Sequence, residues 1–413
     1  MAALLLSGGM LLDPLHDQLL GRHDVLLENG QVREVSEKPI KPGKAEVIKL
    51  DGKTIMPGLI DLHVHVMATQ LNLSTQGMLP DALVMLRAVP IMQAMLRRGF
   101  TTVRDAGGAG WGLKTAVEEG SVVGPRLFIS GRALSQTGGH GDPRPRSDHL
   151  RPMSFCGCCF RAGDIGRVAD GVDDVIKAVR QELQMGADQI KIMASGGVAS
   201  PTDPIASWGY SDDEIKAIVH EARARQTYVM AHAYTAEAIA RAVRLGVRTI
   251  EHGNLIDAPT AELMHQLGAY VVPTLVTYEA LANEGAQYGL PPDSVEKIAG
   301  VRAAGLASLE IYKRAGVKIG YGSDLLGPSQ RLQSDEFRIR NSVLSNQEVI
   351  QSATTTAAEV LNQVGRLGRL QAGALADLIV VDGNPMKELS CLLGQGERIP
   401  LVIKSGQVQF NQL

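Results

Sequence analysis

The stretch Gly58-Leu59-Ile60-Asp61-Leu62-His63-Val64-His65-Val66 decides how this chain is read. It is apolar and alternating, the pattern of a buried strand. Side-chain directions along a strand repeat every two residues, so His63 and His65 point to the same side of the sheet. Their Cα atoms would lie about 7 Å apart by strand rise. Two neutral imidazoles so placed can close on one metal ion. Two hydrogen-bonded core histidines would give the same pattern, so the decision rests on the residues further along.

Outward from this run, strand-like segments alternate with helical ones. The strands fall at Ile60–Val66, Thr101–Asp105, Leu127–Gly131, Gln189–Ala194, Tyr228–Ala233, Arg248–His252, Tyr270–Thr274 and Lys318–Ser323. Helical patterns such as Asp213–Arg225, Thr235–Leu245 and Thr260–Leu267 lie between them. That alternation is the signature of βαβ units, and eight strands predict an α/β fold, a (β/α)8 TIM barrel over residues 58–367. A doubly wound open sheet is the alternative, but no glycine-rich dinucleotide fingerprint follows the first barrel strand. The two ends have a different texture. Asn29-Gly30 sits between Asp24–Glu28 and Gln31–Val35, and Ser405-Gly406 between Leu401–Lys404 and Gln407–Phe410; both read as hairpins. Residues 1–57 and 368–413 are expected to meet in one composite β-sandwich domain.

A chain of 413 residues exceeds one ordinary core, which calls for a large barrel or two domains. Hydrophobic residues at 45% and charged ones at 21% are the proportions of a soluble globular protein. A net charge of −3 without a basic cluster argues against nucleic-acid or anionic-membrane partners. The 45 glycines and 4% aromatics suit tight strand–helix turns. No segment approaches the ~20 apolar residues of a membrane span. The start, Met1–Pro14, lacks a basic leader and is broken by Ser7-Gly8-Gly9, so it reads as a strand rather than an export signal. A cytoplasmic location is expected, or a secreted or periplasmic one if a natural leader has been removed. Three of the four cysteines crowd into Cys156-Gly157-Cys158-Cys159 and the other is Cys391. The paired repeats of a structural zinc site are missing, and free thiols are the default.

Polar residues recur where the barrel strands end. Strand one carries His63 and His65, strand four Lys191, strand five His232, strand six His252 and strand eight Asp324. Singly, each has an ordinary reading: a satisfied core histidine, a snorkelling lysine, an N-capping aspartate. Together, at the end of a barrel where active sites sit, they describe a site for two metals. Five ligands are few for two cations that also hold water. Lys191 supplies a bridge if burial frees its neutral amine to react with carbon dioxide, since the resulting carbamate is a carboxylate on a long stem.

The order Asp61-Leu-His63-Val-His65, Lys191, His232, His252, Asp324 resembles the amidohydrolase superfamily, in its binuclear branch with a carboxylated lysine. Pro57–His65, Lys191–Val198, Ala231–Tyr234, Glu251–Asn254 and Gly373–Leu378 are similar to the Xaa-Pro dipeptidase and imidazolonepropionase-related group. That group includes peptidases that release C-terminal residues and enzymes that hydrolyse ochratoxin A. The resemblance implies that His63, His65 and Asp324 bind the more buried metal, that His232 and His252 bind the more exposed one, and that carboxylated Lys191 bridges them. Zinc is the expected ion, with cobalt or manganese admitted by the ligand types. It further implies that a bridging hydroxide attacks the scissile carbonyl while Asp324 passes the proton to the leaving nitrogen. Homo-oligomers, up to an octamer, are implied as well.

Substrate recognition is expected from the long connection after strand three, Ser135 to Cys159. His140 there is a candidate for the carbonyl oxygen or the oxyanion. Tyr234 is a candidate for a substrate carboxylate or that oxyanion. Arg144 and Arg146 are either carboxylate clamps or solvated loop charges. Apolar residues in Met67–Asp81 and Thr277–Ser294 favour a bulky or apolar group on the substrate. The expected activity is therefore hydrolysis of amide bonds in dipeptides or N-acyl amino acids, including ochratoxin A. A lactone, cyclic amide or phosphotriester hydrolase on the same site is the alternative. A deaminase of the superfamily would generally need one metal and no bridging lysine, and a scaffold without catalysis would tolerate lost ligands.

Overall fold

The computed structural model describes residues 3–77, 79–142, 144, 164–198, 200, 203–288 and 292–413. Five strands open the chain: β1 (Leu4–Leu11), β2 (Arg22–Glu28), β3 (Gln31–Ser36), β4 (Glu46–Lys49) and β5 (Thr54–Pro57). The barrel region follows with β6 (Leu59–Val64), β7 (Phe100–Asp105), β8 (Arg126–Ile129), β9 (Ala133–Ser135), β10 (Gly166–Val168), β11 (Ile190–Met193), β12 (Val229–Thr235), β13 (Thr249–Leu255), β14 (Tyr270–Val272) and β15 (Lys318–Ile319). The chain closes with β16 (Leu378–Val381), β17 (Leu401–Lys404) and β18 (Gln407–Asn411).

Both chain ends enter one eight-stranded sheet, in the order β18-β17-β16-β5-β1-β2-β3 with β4 also on β1. Asn29 and Gly30 have φ of 53° and 78°, and Ser405 and Gly406 have 51° and 73°. Two consecutive positive φ values make the tight turn whose twist matches the flanking strands, which is why these dipeptides mark hairpins. The alternation along β16 shows how the sheet is used. Leu378 and Val380 face a core with Leu4, Leu6, Val25 and Ile403, whereas Ile379 and Val381 pack with Leu59, Met95 and Phe100 of the barrel.

Eight of the remaining ten strands, β6, β7, β8 and β11 to β15, form a (β/α)8 barrel, and β9 and β10 extend its edge at β11. Its neighbours pair in parallel from β6 to β8 and from β11 to β15. Bonds from Leu62 N to Tyr321 O and from Asp324 N to His63 O, both 2.8 Å, join the first strand to the last. Ile190, Ile192, Ala231, Ile250 and Val271 face outward onto Ile215, Ile218, Val219 and Ile239 of the surrounding helices. The alternate positions, Lys191 among them, are left for the interior. Expected helix bounds hold to within a residue or two because caps set them. Ser211 and Glu214 exchange capping bonds at the start of helix Asp212–Ala224, and Asp257 caps Ala258–Gln266. Among the described residues no helix is long and apolar enough to cross a membrane.

Strands seven and eight are locked from behind by a buried ion pair. Arg340 Nε donates to Glu336 Oε1 at 2.7 Å, while its two Nη atoms donate to Gly320 O at 2.9 Å and Pro273 O at 2.6 Å. Both side chains are fully buried. Glu336→Leu alone leaves a buried cation uncompensated and should cost roughly 3–5 kcal/mol. Pairing it with Arg340→Met should return part of that loss, as read from denaturant midpoints. Equal stability of the single and double variants would contradict this account of the lock.

Candidate metal centre

The β6–β7 register shifts between Asp61 and Val64, a bulge that breaks the alternation there and turns His63 into the barrel, and His65 follows at the strand's open end. Asp324, just beyond β15, brings Oδ1 to 3.5 Å from His63 Nε2 and 3.3 Å from His65 Nε2. Donor atoms of these three residues all lie within 4.8 Å of one another, a grouping that can hold a metal ion. His252 lies beside His63, with ring centroids 5.0 Å apart, and His232 lies 4.7 Å from His252. All four imidazoles are buried. Lys191 enters from β11, three strands away from His63 in the chain's barrel order, and its charge is felt by His63, His140, His232 and His252. His63, His65, His232, His252 and Asp324 are therefore brought together, with Lys191 buried on the inward side of β11.

Each histidine has one ring nitrogen occupied by the protein. His63 Nδ1 meets Glu251 Oε2 at 2.7 Å, His65 Nδ1 meets Gly107 O at 2.9 Å, and His232 Nε2 meets Gly196 O at 3.1 Å. A carbonyl or an ionised carboxylate only accepts, so in these three the named nitrogen carries the proton. His252 Nδ1 sits 2.8 Å from Thr274 Oγ1. The opposite nitrogens keep their lone pairs, which is how ligating histidines are normally prepared. Electrostatics agree for three of the four, whereas at His65 the downward pull of burial is outweighed by Asp324, which raises it. Burial, reinforced by Lys191, holds His63 well below the usual imidazole range. Burial and the neighbouring His140 and His252 do the same for His232. His252 is brought down to about 4, mainly by burial.

Burial also brings the Lys191 amine down to about 8, against the pull of Glu251 and Asp324. Asp324 behaves in the opposite way. Burial pushes its carboxyl up, but His63, His65 and His252 more than reverse this and hold it well below the carboxylate range.

Two backbone features make the cluster. His252 and Asp324 have φ of 72° and 50°, a left-handed conformation that costs a side-chain-bearing residue ~1–3 kcal/mol. In a regular strand, adjacent residues face opposite sides. The turn of backbone at His252 lets Glu251 reach His63 while the His252 ring joins the same cluster. At Asp324 the chain is steered by Asp61, whose carboxylate accepts Ser323 Oγ at 2.6 Å and Ser323 N at 3.2 Å.

Supporting residues were not identifiable as such from sequence. Glu251 is gripped by Arg104, whose Nη2 lies 2.9 and 3.1 Å from its two oxygens and whose Nε donates to Leu62 O at 2.6 Å. Asp105 accepts the amides of Val66, Gly107 and Ala109 and so shapes the turn that offers Gly107 O to His65. Only the unusual carboxylate in Thr249-Ile-Glu251-His and the charged pair Arg104-Asp105 inside strand-like runs could have signalled them.

The other candidates fall into two groups. His140 is half-buried and stacks on His232 at 4.3 Å, with its Nδ1 lacking a hydrogen-bond partner among the described residues. Burial and Lys191 bring it down to about 4. Tyr234 lies 4.9 Å from His232, and its hydroxyl pairs with that of Tyr278 at 2.8 Å. Arg144, by contrast, is engaged by Asp142 through Nε at 2.7 Å and Nη2 at 2.6 Å. Arg146 and Cys156–Cys159 lie outside the described residues.

The amidohydrolase family profile matches residues 54–408. The chain belongs to the amidohydrolase family. A crystal structure of an amidohydrolase is 67% identical, with a TM-score of 0.98 over 100% of both chains. A prolidase crystallised with N-methylphosphonate-L-proline is 57% identical, with a TM-score of 0.97 over 100% of both chains. Ochratoxinase of Aspergillus niger is 33% identical over 346 residues, which are 81% of this chain and 71% of that protein. This amidohydrolase is accordingly a hydrolase of the barrel-plus-β-domain type.

Replacing Glu251 with Gln keeps the shape but removes the charge that orients His63 and balances Arg104. Metal affinity should fall ~10–100-fold, measured as metal retained during chelator titration. Unchanged retention would mean that Glu251 does not tune the ligand.

Proposed function

We propose that this amidohydrolase is a two-metal amide hydrolase that releases a C-terminal amino acid from dipeptides and N-acyl amino acids, with ochratoxin A, cleaved to ochratoxin α and phenylalanine, among its substrates. The observation that carries the reading is the set of four buried histidines, each with one nitrogen engaged, gathered around Asp324 and Lys191. Prolidase and ochratoxinase relatives supply the bond type.

The donor set suits divalent zinc. His63, His65 and Asp324 would hold one ion and His232 and His252 the other. Lys191, carboxylated through an amine whose ammonium form burial disfavours, would be shared between them. When bound, such ions supply Lewis acidity and a water that ionises near neutral pH. The residues do the rest. Asp324 accepts the proton of the attacking water and returns it to the leaving nitrogen, a role open to it because its side chain retains 21% exposure between two histidines. His140, neutral and facing His232, donates to the carbonyl oxygen as charge develops there. Tyr234 holds the substrate carboxylate or the oxyanion through a hydroxyl that burial keeps protonated. In this reading residues 58–367 are the catalytic unit and 1–57 with 368–413 its supporting domain. A cytoplasmic homo-oligomer, up to an octamer, belongs to the same reading.

Zinc-loaded enzyme should release free amino acids from a panel of Xaa-Pro, Xaa-Phe and Xaa-Arg dipeptides, N-acyl amino acids and ochratoxin A, identified by product mass. Faster turnover of lactones, cyclic amides or phosphotriesters than of any amide would replace the proposal with one of those activities. Asp324→Asn should lose ~10²–10⁴-fold in kcat. Lys191→Ala should lose activity while keeping its circular dichroism, and full activity in that variant would rule the mechanism out.

A further inference from the structure

Lys297, on helix Pro292–Ala315, reaches across to the segment that follows β11. Its Nζ donates to Ser200 O at 2.8 Å, Asp203 O at 3.3 Å and Gly197 O at 3.4 Å. An ammonium has three donors. All three are committed to the backbone of one loop, which leaves none to receive a substrate. Among the described residues no carboxylate forms a direct ion pair with Lys297; the three carbonyls hold it by hydrogen bonds, and the Asp203 carboxylate of the same loop adds its charge.

The opposite side of the same loop bears on the metal centre. Gly196 O takes the Nε2 proton of His232 and thereby leaves Nδ1 as the ligating atom. Ser195 Oγ accepts the Tyr234 amide at 3.3 Å. Gly197 lies so close to His140 that a Cβ there would fall 2.2 Å from its Nδ1 and Cε1. The loop is thus wedged between Lys297 and the His140–His232 stack. If it moved by an ångström, the proton-bearing side of His232 and the face of His140 would move with it.

We infer that Lys297 is a positioning residue: its ammonium clamps the loop that sets His232 for the second metal ion and His140 for the substrate carbonyl. The inference rests on the two-metal reading. It assigns Lys297 to kcat and to retention of one ion, not to substrate affinity.

Lys297→Met keeps the stem and removes the three donors. Chelator titration should strip one of its two ions at ~10–100-fold lower chelator concentration than wild type, and kcat should fall by a similar factor, with KM within about 3-fold. Lys297→Arg, which can donate to the same carbonyls, should recover most of both. Gly197→Ala crowds His140 from the other side with Lys297 intact and should loosen the same ion, so it carries the test if the methionine variant does not fold. Wild-type retention of both ions and an unchanged kcat in the Lys297→Met and Gly197→Ala variants would overturn the inference alone. So would a raised KM with unchanged kcat in Lys297→Met, since that would make Lys297 a substrate ligand. Wild-type enzyme holding fewer than two ions would overturn the two-metal reading and this inference with it.

Discussion

The 2.7 Å contact between His63 Nδ1 and Glu251 Oε2 spans the barrel interior from the first strand to the sixth, and the candidate metal centre is organised around it. A carboxylate buried there without a partner would be too costly to keep ionised. Arg104 makes it tenable by lying against both oxygens while its third nitrogen holds Leu62 O, one residue before His63. Thr249 Oγ1 adds a bond at 2.6 Å to Glu251 Oε1. The result is a closed set of fixed dipoles in which His63 has one tautomer and one ring orientation. Preparing the ligand before the ion arrives is what gives such a site its affinity.

The same logic extends outward. His65 and His232 are oriented by carbonyls of turns rather than by carboxylates, so they add no charge to the interior. Charged groups near the cluster include Asp324, Glu251 and Asp105 and, opposite them, Arg104 and Lys191. Of these, Asp324 is the carboxylate with histidine nitrogens on more than one side. Those imidazoles outweigh its burial and hold its carboxyl well below the usual carboxylate range. The left-handed backbone at His252 and Asp324 is the conformational cost of drawing residues from adjacent positions and adjacent strands to one point.

How much of this was legible in the chain follows from the periodicities involved. A two-residue repeat exposes His63 and His65 as a pair, and the rule that barrel sites form at strand ends gathers Lys191, His232, His252 and Asp324. Those signals are local, so eight strands and six polar residues could be read directly. Glu251 was hidden because parity alone would send either it or His252 away from the interior, and the φ of 72° that reconciles them has no marker in a non-glycine residue. Lys297 was hidden for another reason. It sits in an ordinary helical pattern, and its three carbonyl partners lie about a hundred residues upstream, a relation only the closed barrel creates. Arg144 shows the converse: read as a carboxylate clamp or a solvated loop charge, it is engaged by Asp142, two residues earlier.

The central claim is that this barrel presents ligands for two cations. It is tested most directly by elemental analysis of protein loaded with zinc and bicarbonate and then freed of unbound metal. The account requires close to two zinc ions per chain. A value of one or below in fully folded protein would contradict it, because the four oriented histidines, Asp324 and Lys191 would then serve a different purpose.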